Sequence, residues 1–188
     1  PSLRFKAVMS IFIDRLTGML ELFAISLLLS FYVFKNLLFS DSIFSNIFSI
    51  LLFISFLGLM AGIVLFFHKS IERYKLILPC IQVLDKLSKG TYTRCSTIID
   101  SYRERWHVIV ISIIIGIFFM HVPSGLAVYC LAQGYTSEIT ELQGIASTSI
   151  ANTAGLLPLT PSGIGARDFV LSKLLEESGT RYETGLGI

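Results

Sequence analysis

The chain predicts an all-α, polytopic integral membrane bundle, and three observations lead there. Of its 188 residues 53% are hydrophobic and 15% are charged, where a soluble domain carries about 25% charge. Mean hydropathy is +0.73. The apolar residues gather into runs long enough to cross a hydrocarbon core of about 30 Å as helices. The last run leads into a Pro/Gly-rich interruption, which predicts a broken or re-entrant helix at 157–168.

A single transmembrane domain over 1–188 follows, with spans at about 7–34, 43–67, 108–132 and 139–157. After the basic lead-in of Arg4 and Lys6, the first span is purely apolar from Leu22 to Phe34 except for Ser26, Ser30 and Tyr32. Its first half carries Asp14, Arg15 and Glu21. At about 100° per residue Asp14, Gly18 and Glu21 share one face, and Arg15 points about a quarter turn away. A charge at the centre of a membrane helix costs about 2.5–3.5 kcal/mol or more against lipid. Two carboxylates on one stripe therefore point to a wet cavity or a protein partner. The other reading sets this half at the headgroup level, where water solvates it.

Ile43 to Phe67 is 25 residues without a charge, roughly 37 Å as a helix. Its Gly58-x-x-x-Gly62 permits close helix approach. The connection 68–105 holds eight Lys/Arg against four acids, so the positive-inside rule expects it on the cytoplasmic side of a cell membrane. Two amphipathic stripes are expected there, one of Cys80, Leu84 and Leu87, the other of Cys95, Ile98, Tyr102 and Trp106. Anionic lipid contact and a plain topology signal account equally for the basic residues. Interleaved acids and the lack of a recognition module argue against nucleic acid as a partner.

Val108 to Ala132 contains His121 and then Pro123-Ser124-Gly125, expected to kink or break the helix. An ionisable group inside a span suggests function, although a hydrogen-bonded structural histidine beside a kink explains His121 as well. Ile139 to Leu157 is interrupted by Glu141, Gln143, Ser147, Thr148, Asn152 and Thr153. Ser147, Ala151 and Gly155 form a small-residue seam that suits burial in protein better than contact with lipid. A short helix is expected at 165–178, with Gly179 as its stop.

The interruption itself concentrates the chemistry. Thr160-Pro161 reads as an N-cap with Pro at the first helical position, or as a turn before a helix start near Gly165. Gly163 and Gly165 leave backbone N–H groups uncovered, and a helix N-terminus favours an anion. Arg167 adds a planar fork suited to phosphate, and Asp168 can orient it. A tight loop turning the chain is the structural alternative. Walker and dinucleotide-binding fingerprints are absent, and Cys80, Cys95 and Cys130 lack disulfide or zinc spacing. No catalytic set, metal site or cofactor is expected. The first apolar run is too charged for a cleavable signal peptide.

Leu157-Pro158-Leu159-Thr160-Pro161-Ser162-Gly163-Ile164-Gly165-Ala166-Arg167-Asp168 resembles the P-x-x-P-G-G-x-G-x-R-E signature of the lysylphosphatidylglycerol synthase transmembrane, or flippase-like, family. That family includes the membrane half of the multiple peptide resistance factor. Asp14-Arg15-Leu16-x-Gly18 is similar to the family's acidic-Arg-Leu element on an earlier helix. Ser162 stands where the family has Gly, and Asp168 where it usually has Glu. The match covers most of this chain but only the later part of the family's length. Further helices upstream and a soluble domain elsewhere are therefore expected, in keeping with a start on Pro1.

The resemblance implies binding, and translocation between leaflets, of an anionic phospholipid such as an aminoacylated phosphatidylglycerol. Pro161, Gly163, Gly165, Arg167, Asp168, Asp14, Arg15 and Glu21 would form the site, with the lipid and the bilayer as partners. In that arrangement Arg167 and the helix start take the phosphate, while the carboxylates meet a cationic head group. The membrane part of a transferase acting on a lipid-linked substrate, or an anchor for a soluble catalytic domain, are the alternatives.

Overall fold

A computed structural model describes residues 3–72, 106–135, 138–157 and 163–180. Both amphipathic stripes expected in the basic connection lie outside these residues, except for Trp106, and so do Pro158 to Ser162. Among the described residues the chain is helical throughout its regular structure. In order come α1 (Leu3–Val33), α2 (Lys35–Leu38), α3 (Ile43–Glu72), α4 (Trp106–Gly116), a π-helical turn (Ile117–His121), α5 (Val122–Gln133), α6 (Glu141–Gly155) and α7 (Ile164–Glu177). Among the described residues three stretches are long and apolar enough to cross a membrane: Ala7–Val33, Ile43–Val64 and Trp106–Gln133.

The third of these stretches contains Pro123 yet does not break there. Pro123 has no N–H for the carbonyl four residues earlier, and its ring crowds that carbonyl. The π-helical turn Ile117–His121 lies directly before it and is the kind of widened turn that accommodates such a disruption. Helix α5 then continues to Gln133.

The fourth expected span takes a different form. Its 15-residue helix α6 rises only about 22 Å, short of a hydrocarbon core of about 30 Å. It is buried along almost its whole length, from Gly144 to Ala154, and packs against α1, α5 and α7. The seam read from Ser147, Ala151 and Gly155 belongs to this buried strut. Thr140 caps it: its side chain accepts a hydrogen bond from the Gln143 N–H, and the Gln143 Oε1 accepts one from the Thr140 N–H.

The apolar core gathers around α6. Phe34, Phe48 and Leu51 meet Ile150, Ala151, Leu174 and Leu175 there, and the Phe34 and Phe48 rings pack edge to face at 6.0 Å. Ser26 of α1 and Thr153 of α6 share a buried hydrogen bond of 3.1 Å. Helix α3 lies close along α1, as Gly58-x-x-x-Gly62 suggested: a side chain at Gly58 would strike the Phe23 ring, and one at Gly62 would strike Leu20. By contrast Ile111, Ile114, Phe118 and Phe119 point outward, an apolar face that suits lipid.

Helix α7 begins at Ile164, one residue before the expected start. Its N-cap is Gly163, in the left-handed region at φ 70°. It ends at Glu177, with Ser178 as its C-cap. Gly179 has φ 95°, its N–H bonds the Glu176 carbonyl, and the Thr180 N–H bonds the Leu175 carbonyl, both at 3.0 Å. That pair of bonds is a Schellman closure.

Candidate functional site

Helix α1 places Asp14 and Glu21 seven residues apart on one face, about 10 Å along the axis. The same face meets α4 and the π-helical turn. Between them lies a cavity of about 440 Å³ lined by Asp14, Arg15, Thr17, Gly18, Met19, Glu21 and Leu22 from α1. Ser112, Ile115, Gly116 and Met120 form the opposite wall, and Leu156 contributes from the end of α6. A second hollow of about 200 Å³ shares Asp14, Thr17 and Ser112 with the first. The larger volume falls in the range of about 300–1,000 Å³ usual for small-molecule sites.

Glu21 is the deepest charge of the site, 8% exposed. Its carboxylate lies against Gly116, where an added Cβ would collide with it. Its Oε2 is 3.9 Å from Nε2 of His121, close enough for an ion pair when the imidazole is protonated but too far for a hydrogen bond. Asp14 and Arg15 are both exposed at the cavity wall. The quarter turn between Asp14 and Arg15 thus still leaves both on the lining. Thr17, two turns from Met9 and beside these charges, directs its hydroxyl to the Ile13 carbonyl at 2.9 Å.

The later residues of the expected site are placed apart from this lining. Gly163 is buried, while Gly165, Arg167 and Asp168 are exposed on the first turns of α7. None of these four is among the cavity's described lining residues. Pro161 lies outside the described residues. The turn is nonetheless tightly built, because the Gly163 backbone rests on that of Gly155 and leaves no room for a Cβ. A Cβ at Gly155 would come 3.6 Å from the Arg167 Cβ. Gly155 immediately precedes Leu156, which reaches the cavity. Arg167 thus stands close to the last residue of α6, and the residue after that one, Leu156, lines the cavity.

Ser112 and Gly116 were not read as site residues. Their signal is a small-x-x-x-small spacing within an otherwise bulky run, Ser112-Ile113-Ile114-Ile115-Gly116, which lets another helix bring large polar groups close. Among the described residues no group of three or more His, Cys, Asp and Glu side chains could hold a metal ion.

A family model described as the lysylphosphatidylglycerol synthase TM region matches residues 3–188. No curated protein and no solved structure matches the chain.

Proposed function

The chain belongs to the lysylphosphatidylglycerol synthase transmembrane family, and from that premise we propose that it binds an anionic phospholipid with a cationic head group and moves it between leaflets. The observation that carries this reading is the cavity with Asp14, Arg15 and Glu21 on one wall of a membrane-spanning helix. Moving a zwitterionic or charged head group through hydrocarbon is costly, and a hydrated path with fixed charges of both signs lowers that cost. Arg15 supplies a fork for phosphate, and Glu21 and Asp14 supply carboxylates for an ammonium. The outward apolar face of α4 and the π-helical turn leaves the acyl chains in the bilayer.

Pro161, Gly163, Gly165, Arg167 and Asp168 act at the rim in this reading. The turn through Gly163 holds Arg167 beside the end of α6, where it meets the phosphate before the head group passes to Arg15. Asp168, one residue on, tempers the charge of Arg167.

The test is movement of fluorescent lysyl-phosphatidylglycerol in phosphatidylcholine vesicles carrying the full-length protein, read by quenching of the outer leaflet. Losing one charge-assisted contact is worth about 1.5–3 kcal/mol, so Glu21→Gln and Arg15→Gln should each slow movement by about tenfold or more. Wild-type rates in both variants would refute the site. Group transfer to the lipid without movement would replace this reading with the membrane part of a transferase.

A further inference from the structure

We propose that His121 holds an exchangeable proton and pairs with Glu21 when no lipid does, so that binding a cationic head group releases that proton to the cavity. This rests on the lipid-binding reading above and adds a coupling ion to it.

Glu21 is a carboxylate buried within a membrane-spanning helix, and such a group needs a positive partner. The described ion-pairing partner is His121, at 3.9 Å. It arrives on the π-helical turn, directly before the Pro123 disruption. The pair is loose: no hydrogen bond joins it, and Glu21 lines the cavity while keeping its oxygens against Gly116. An ammonium entering the cavity can approach Glu21 from the open side, with His121 behind.

The surroundings offer little competition for this role. On α1, Asp14 and Arg15 face the same cavity about 9–10 Å further along the helix. From α4 and the π-helical turn the facing groups are Ser112, Ile115, Gly116 and Met120, which do not titrate. Helix α3 has no ionisable residue from Ile43 to Val64, and α6 has Glu141 alone, exposed at its far end.

Two positive charges crowded around one carboxylate repel each other, so imidazolium and ammonium exclude one another at Glu21. On lipid binding the Nε2–H bond of the imidazolium breaks and its proton goes to cavity water. The ammonium takes its place beside the carboxylate, and no bond in the lipid changes. Release of the lipid reverses the exchange. One proton therefore moves opposite to one head group, which lets a pH difference bias the direction of lipid movement.

Lysyl-phosphatidylglycerol titrated into the full-length protein in phosphatidylcholine nanodiscs tests this, with a pH-sensitive dye in weak buffer. Protonated His121 competes with the ammonium for Glu21, so the apparent Kd should be weaker at pH 5.5 than at pH 7.5. About one proton should appear per lipid bound at the lower pH. Deprotonation of the lipid's own amine would weaken binding as pH rises, which is the opposite sign. His121→Gln should lose both the proton release and the pH slope, whatever its absolute affinity. A wild-type affinity that does not strengthen from pH 5.5 to 7.5, or a His121→Gln variant with the wild-type slope, overturns the proposal. Failure to bind the lipid at any pH refutes the lipid reading and this one with it. The expected slope without leaflet movement refutes translocation alone.

Discussion

Glu21 rests directly on the Gly116 backbone, so a single methyl group there competes with the carboxylate for the same space. Gly116→Ala should displace Glu21, reduce lipid movement by about tenfold or more, and leave the helical content unchanged by circular dichroism. That magnitude is the loss of a charged contact worth about 1.5–3 kcal/mol. Wild-type transport by Gly116→Ala would mean that the position of the carboxylate is immaterial. At this scale the sequence was half legible. Asp14, Arg15 and Glu21 stand out because charge in a greasy helix is conspicuous. Gly116 and Ser112 do not, because small residues in spans have many uses and become specific only once a partner helix is known. His121 was visible as an ionisable group, but its neighbour Glu21 lies a hundred residues earlier and no spacing rule connects them.

Among the elements, the start of α7 makes the sharpest demand on its residues. Gly163 holds φ 70° and also rests on Gly155. The left-handed conformation alone costs an L-residue about 1–2 kcal/mol, and the collision adds to it. Gly163→Ala should therefore lower the apparent melting temperature of the detergent-solubilised protein by several degrees, a shift expected for this loss of stability. An unchanged melting temperature would show that the turn relaxes freely. The Pro/Gly cluster announced a change of direction near this place, and the helix beyond it was legible from its caps. The length of α6 was not. Ile139 to Leu157 reads as a span by hydropathy, yet Thr140 and Gln143 close a capping box that starts the helix late. That Thr-x-x-Gln spacing is a recognisable N-terminal signal hidden inside an apolar stretch. Similarly, Pro123 announced a disturbance but not its form, since a π-helical turn can take up the misfit without breaking the rod.

For the whole molecule, a charged share of only 15% together with apolar runs long enough to span a bilayer marks a membrane bundle. The arrangement of the site depends on tertiary contacts that composition does not contain. The sequence joins the α1 charges to the Arg167 turn. The structure instead walls the α1 charges with α4 and sets the turn against Gly155, the neighbour of the cavity residue Leu156. In the proposed function the two regions are successive stations for one head group, with the deeper one formed by Asp14, Arg15 and Glu21. Direct labelling tests this arrangement most closely. A photoreactive group on the head of lysyl-phosphatidylglycerol, activated with full-length protein in vesicles, should label peptides from 7–33 and 106–121. Glu21→Gln should reduce that labelling about tenfold or more, in line with one lost charged contact. Labelling confined to other segments, and unchanged by Glu21→Gln, would contradict a head-group site between α1 and α4.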